Sequence, residues 1–192
     1  FGEQFDEETG AERRGDITPE YVQEACDRSL SRLGTDVVDL YVLHLRDFPL
    51  DRAKEIRDAL ETLVSRGKIR FYGWSTDDVE RAGLFAEGAH CTAIEHRLNC
   101  LMDAPEMLAL CEEQDLASIN RVPLLCGVLT GRWQPGAYLH PSDRRSDWFR
   151  DEAFSKQLER AESLRPFLTR DGRSYVQGAL AWILARSPRS VP

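Results

Sequence analysis

Four short segments carry residues able to do chemistry: His44, then Trp74-Ser75-Thr76-Asp77, then Glu95-His96-Arg97-Leu98-Asn99, then Asn120-Arg121-Val122-Pro123. Their imidazole, hydroxyl, carboxylate and guanidinium groups suit proton transfer and hydrogen bonding to a small polar ligand. Each segment directly follows a β-rich run. Where such runs form a (β/α)8 barrel, reactive groups gather at the carboxyl ends of the strands. A structural barrel end does not demand His, Ser, Glu, Asn and Arg at successive exits, whereas a pocket does. Taken alone, His44 fits a satisfied structural histidine as well as a catalytic one.

Other groups carry less. Cys91-x4-His96-x3-Cys100 has zinc-like residue types, but a fourth ligand is missing and the segment already fits a strand and its exit, so no metal site is expected. Asp47 reads as the cap of the next turn rather than a pocket residue. Arg144 and Arg145 can reach phosphate oxygens, although solvated loop charges are the plainer reading. Trp133, Trp148 and Phe149 either line a substrate mouth or pack their loop onto the body of the protein.

The elements that must position these residues alternate along the chain. Thr18-Pro19-Glu20 starts a helix with a cap, a proline at the first turn and an acid at the positive end of the dipole. Val22, Ala25, Cys26, Leu30 and Leu33 recur at helical spacing until Gly34. A strand follows over 39–44, then a helix over 53–66 and a strand over 69–73. Helices over 77–87 and 105–114 alternate with strands over 91–94 and 116–119. Strand onsets spaced by about two dozen residues are the period of βα units joined by crossovers. The alternation supports an α/β fold, either a (β/α)8 barrel or a doubly wound sheet. Residues 1–17 read as a loop, and 132–151 as a long loop of the kind that is usually functional. Two more helices are expected over 151–164 and 174–185, with a further strand beginning near Ser190.

The 192 residues are enough for one ordinary domain, and the composition is globular, with 42% hydrophobic and 30% charged residues. A net charge of −8 argues against a nonspecific nucleic-acid binder and against an anionic membrane surface as partner. No apolar run approaches the roughly 20 residues of a spanning helix. Five cysteines, an odd and dispersed set, read as reduced thiols of a cytoplasmic protein. A first residue other than Met points to a piece of something longer.

Three segments resemble the aldo-keto reductase family. Ser29-Leu-Ser-Arg-Leu-Gly-Thr-Asp-Val-Val-Asp-Leu-Tyr-Val-Leu-His44 is similar to its run leading to the active-site histidine. Gly67-Lys-Ile-Arg-Phe-Tyr-Gly-Trp-Ser-Thr76 resembles the strand ending in Gly-Val-Ser-Asn, and Pro123-Leu-Leu-Cys-Gly-Val-Leu-Thr-Gly131 resembles the Pro-Leu-x-x-Gly-Leu-Leu-Thr-Gly loop. In register, the similarity runs from Phe1 to Pro192.

The resemblance implies a single partial barrel domain over 1–192, from the fourth to the seventh strand plus flanking helices. It implies an oxidoreductase that reduces an aldehyde or ketone with NADPH, NAD being the other possible dinucleotide. In such an enzyme a tyrosine tuned by a Lys–Asp pair protonates the alkoxide while a histidine polarises the carbonyl. His44 matches that histidine. The Asp, Tyr and Lys find no match, so the isolated chain is expected to have little activity. Cofactor positions carry over to Ser75, Thr76 (where Asn is usual), Glu95 (where Gln is common) and Arg121 (where Tyr often stacks). Pro123, Leu124, Gly127, Thr130 and Gly131 match the loop expected to wrap the pyrophosphate. The expected partner is a small carbonyl substrate, with self-association through open barrel edges. The alternative is a non-catalytic nucleotide-binding or regulatory subunit.

Overall fold

The computed structural model describes residues 1–2, 4–5, 12–13, 17–133, 139–140, 142–143, 145–148 and 151–192. The chain divides into two compact units, one of residues 1–96 and 105–119, the other of 97–104 and 120–192.

The first unit is built of βα repeats. Helix α1 (Pro19–Leu33) begins where Thr18 Oγ1 accepts the Tyr21 amide at 3.2 Å, and ends at Gly34, whose φ of 66° is left-handed. Strand β3 (Val38–Leu43), helix α2 (Leu50–Ser65), strand β4 (Ile69–Ser75), helix α3 (Val79–Ala86), strand β5 (Cys91–Arg97) and helix α4 (Pro105–Glu113) follow. β3 pairs parallel with β4, and β4 parallel with β5. Ile56, Leu60 and Leu63 of α2 are fully buried, as are Tyr72 and Trp74 of β4. The Trp74 ring lies 4.6 Å from that of Phe85 on α3. Trp74 therefore sits on the helix side of β4, and strand alternation sends Gly73 and Ser75 to the other side.

Within residues 1–17, expected as a loop, β1 (Gln4–Phe5) and β2 (Glu12–Arg13) pair antiparallel, Gln4 with Arg13. Along the outer edge of β3, the Phe1 amine donates to Val42 O at 2.8 Å and the His44 amide donates to Phe1 O at 2.6 Å.

The second unit contains the end of β6 (Ala117–Arg121), a 3₁₀ segment over Leu125–Thr130, helices α5 (Glu152–Leu168) and α6 (Tyr175–Arg186), and β7 (Ser190–Val191). Its core joins Val128 and Leu129 to Phe154, Leu158, Ala161, Leu168, Tyr175 and Ala179. Helix α5 runs through Pro166 to Leu168, a turn beyond its sequence-based end. Gly178 admits close contact between α6 and the end of α5, since a Cβ there would sit 1.9 Å from Leu168 O. The five strands form one sheet in the order β3-β4-β5-β6-β7.

Candidate functional site

The first unit holds four of the sequence-derived site residues at the carboxyl ends of three adjacent strands. The ladder pairs Leu43 with Trp74, Trp74 with Ile94, and Ser75 with Glu95. His44 is the first residue past β3, level with Ser75, and its side chain is exposed. β4 and β5 both extend further than their periodicity suggested, so the ladder itself holds Ser75 and Glu95. The Thr76 amide donates to Glu95 O at 2.9 Å and fixes that level. Registered residues of parallel strands share a face, so Ser75 and Glu95 lie together on the side of the sheet opposite Trp74.

Two neighbouring hydroxyls differ sharply. Thr76 Oγ1 donates to Arg46 O at 3.1 Å and accepts the Asp78 amide at 3.2 Å. Its one proton is committed to the protein, so Thr76 secures the strand exit rather than offering a donor. Ser75 is also fully buried, yet its Oγ has no hydrogen-bond partner. A buried hydroxyl left unpaired costs roughly 1–3 kcal/mol. A polar group taken up at this exit would recover that cost, which is the fit expected of a site for a nicotinamide carboxamide.

The second unit carries the remaining candidates. Arg121, at the end of β6, is half-buried, and its carbonyl accepts the Leu98 amide at 3.3 Å. Pro123 and Leu124 lead into a left-handed run in which φ is 47° at Leu125, 51° at Cys126 and 100° at Gly127. L-residues visit this region at a cost of about 1–2 kcal/mol each. The amides of Leu125, Gly127, Leu129 and Gly131 close turns onto Val122, Leu124 and Val128 carbonyls within the loop. Thr130 Oγ1 donates to Gly127 O at 2.6 Å and accepts the Arg132 amide. The amides of Gly127 and Gly131 are thus used within the loop, which holds its shape.

Two side chains brace this loop, and for Trp133 packing is one of the two readings the sequence leaves open. Trp133 lies over Gly127, where a Cβ would meet its ring at 2.7 Å. The Arg145 guanidinium stacks over Trp133 at 4.6 Å and donates to Cys126 O at 3.2 Å. Asp143 pairs with Arg145 at 2.7 Å, and that hydrogen bonding draws its carboxyl pKa down to about 2. Arg145 therefore braces the loop while its side chain stays about a third exposed. Trp148 packs on Phe154 with ring centroids 5.8 Å apart, so it fastens its segment to α5. Arg144 and Phe149 lie outside the described residues.

The weaker candidates resolve as structure. His96 Nε2 and Ser118 Oγ lie 2.8 Å apart in a buried pair, burial pushes the Cys91 thiol up to about 12, and Cys100 Sγ contacts Ala179 O. Asp47 is exposed and α2 starts after Pro49 with no side-chain cap, so the expected cap is not made. Among the described residues no helix is long and apolar enough to cross a membrane.

Comparison with known proteins points in one direction. The sequence matches the Aldo/keto reductase family over residues 9–192. It is 30% identical over 206 residues to the aldo-keto reductase yakc [NADP(+)] of Schizosaccharomyces pombe, a match that takes in 100% of this chain and 58% of that protein. It is 29% identical over 179 residues to the NADH-specific methylglyoxal reductase of Escherichia coli, covering 89% of this chain and 54% of the relative. The glycerol dehydrogenase of Gluconobacter oxydans superposes with a TM-score of 0.83 at 25% identity, over 100% of this chain and 60% of that one. A holo aldo-keto reductase of Bacillus halodurans gives 0.74 at 26% identity, with 100% and 59% covered. The chain thus spans somewhat over half the length of these relatives. Its α/β fold is that of their (β/α)8 barrels, with five parallel-sheet strands present here. With βα units and a family match over nearly its whole length, this chain belongs to the aldo/keto reductase family.

Proposed function

We propose that this chain forms the cofactor-side part of an NAD(P)H-dependent oxidoreductase that reduces an aldehyde or ketone to an alcohol. The observation that carries the reading is the buried, unpartnered Ser75 hydroxyl, registered beside Glu95 and level with His44. Ser75 Oγ can donate to a carboxamide oxygen, and Glu95 can accept from the amide nitrogen. Reaching Ser75 requires a neighbouring side chain to turn aside, because the hydroxyl is fully covered. His44, exposed at the exit of β3, can hydrogen-bond a carbonyl oxygen and polarise it. When bound, the nicotinamide group supplies the hydride. Arg121, Pro123, Leu124, Gly127, Thr130 and Gly131, in the second unit, are the remaining positions that the family resemblance assigns to a dinucleotide. The left-handed turn braced by Trp133 and Arg145 gives the Pro123–Gly131 loop a fixed shape before any ligand arrives. NADPH is the expected form. The five free cysteines suit the reducing conditions of the cytoplasm.

A second reading, a nucleotide-binding subunit without catalysis, draws support from the Thr76 hydroxyl, which is spent on Arg46 and Asp78. Calorimetry separates the two from a chain with no nucleotide site. Wild type is expected to bind NADPH, and Ser75→Ala to weaken binding about tenfold, the equivalent of one hydrogen bond in a desolvated site. Equal affinity in both proteins, or none in either, overturns the site. Turnover of an aldehyde or ketone by the chain would exclude the second reading.

A further inference from the structure

The turn that leaves β3 is held by side chains from other elements. Leu45 O accepts the Trp74 Nε1 proton at 2.8 Å, Arg46 O accepts the Thr76 hydroxyl at 3.1 Å, and Phe48 O accepts the Arg81 Nε proton at 3.1 Å. Within the turn, the Phe48 amide reaches Leu45 O only at 3.4 Å. Trp74 and Thr76 stand at and just past the end of β4. Arg81 lies in the first turn of α3, where its guanidinium also pairs with Asp78 at the N-cap. The three donors grip backbone carbonyls, whereas the side chains of His44, Arg46 and Asp47 are exposed. His44 is tied from both directions. Its amide donates to Phe1 O at 2.6 Å, and the carbonyl of the next residue takes the indole proton. Where the resembling motif reads Gly-Val-Ser-Asn, this chain reads Gly-Trp-Ser-Thr, and valine has no side-chain proton to give Leu45 O.

We propose that Trp74 and Arg81, together with Thr76, are positioning residues that clamp the turn over 45–48 and thereby hold the His44 imidazole in place at the exit of β3. The inference rests on the reading of His44 above and deepens it, adding residues that act through His44 rather than on the substrate. A group that polarises a carbonyl must keep a ring nitrogen within hydrogen-bond reach of the oxygen, and a displacement of about 1 Å can cost about a hundredfold in rate.

The test is nuclear magnetic resonance relaxation on the 192-residue chain, labelled with 13C and 15N and free of cofactor. Wild-type amides of Leu45, Arg46 and Asp47 are expected to show order parameters near about 0.85, with a single narrow signal from the His44 ring. Trp74→Phe keeps an aromatic ring and deletes the indole proton, and Arg81→Met removes the guanidinium. Each should bring the three order parameters below about 0.6 and broaden or split the His44 signal. The Tyr41 and Tyr72 amides, within β3 and β4, should keep their wild-type values, which a general loosening of the fold would not allow. Arg81→Lys, whose ammonium can still donate to Phe48 O, should recover the wild-type pattern. The inference is overturned by a wild-type turn already below about 0.6, by unchanged order or an unchanged His44 signal in either variant, or by no recovery in Arg81→Lys. If Trp74→Phe fails to fold, the Arg81 pair decides. A chain that does not bind NADPH loses the cofactor reading, while the relaxation data, taken without cofactor, still decide the clamp.

Discussion

At the scale of single residues, what matters is where each polar group finds its partner. Ser75 and Thr76 are adjacent, buried and chemically alike, yet one hydroxyl is fully used and the other is left over. The contrast recurs at Glu61, where every partner is accounted for. Tyr72 donates its hydroxyl to Glu61 at 2.7 Å, the His90 amide donates at 3.0 Å, and the His90 ring lies 2.6 Å away. Burial pushes the Glu61 carboxyl upward, but the hydrogen bonds from Tyr72 and His90 outweigh it and hold the pKa below the ordinary 4.5. A carboxylate depressed on folding contributes stability that is present above its unfolded pKa and lost as pH falls through the folded one. Urea denaturation should therefore show Glu61→Gln less stable than wild type by about 2 kcal/mol at neutral pH. The gap should narrow as pH drops below 4.5. A gap that persists undiminished in acid would show that the charge is not the stabilising feature.

At the scale of elements, the site depends on how closely β4 approaches β5. The ladder shifts register between Tyr72 and Gly73. A Cβ on Gly73 would stand 2.2 Å from Ala93 O, a backbone atom that cannot swing away. Glycine is required here for space rather than for φ. Gly73→Ala is expected to destabilise the chain by about 3 kcal/mol, in the range of severe overpacking. Because Ser75 lies two residues downstream on the same face, the forced separation of the strands should also weaken NADPH binding. Chemical denaturation and calorimetry on the one variant measure both effects, and a neutral result would mean that the strands are not held this closely in solution. In the second unit the Leu125–Gly127 turn is likewise imposed from outside, by Trp133 and Arg145.

At the scale of the whole molecule, β3 and β7 are the end strands of the sheet among the described residues, the outer edge of β3 being met by Phe1 at Val42 and His44. Unpaired strand edges are templates for association. Phe71 of β4, 44% exposed on the face it shares with Gly73 and Ser75, and Val191 of β7, 50% exposed, add apolar surface to the available backbone groups. The net charge of −8 opposes association only by long-range repulsion, which salt screens. Sedimentation velocity on the isolated chain is expected to show concentration-dependent self-association that strengthens with salt. Phe71→Lys should reduce it several-fold by placing charge on the apolar face. A monomer at every concentration and salt level would show that the edges are protected.

The sequence by itself determined the alternating elements, because the signals that set them act within a turn or two of chain. Thr18 caps α1 and Gly34 ends it where the sequence says they should. Every barrel-type strand from β3 to β6 lies within a few residues of its periodic run. It also determined which residues stand at the strand exits, since alternation and strand length decide that locally. The family was legible too, from three ordered segments. Only the tertiary structure decided which exit residues remain available. Whether Thr76 or Ser75 keeps a free hydroxyl depends on Arg46 O, thirty positions away, and nothing in the local pattern reports it. The bracing of Gly127 by Trp133, and of Cys126 by Arg145 nineteen positions on, is likewise a contact between distant segments. Hydrogen-bond capacity is written in the residue type, but its satisfaction depends on which distant segments packing brings within 3 Å.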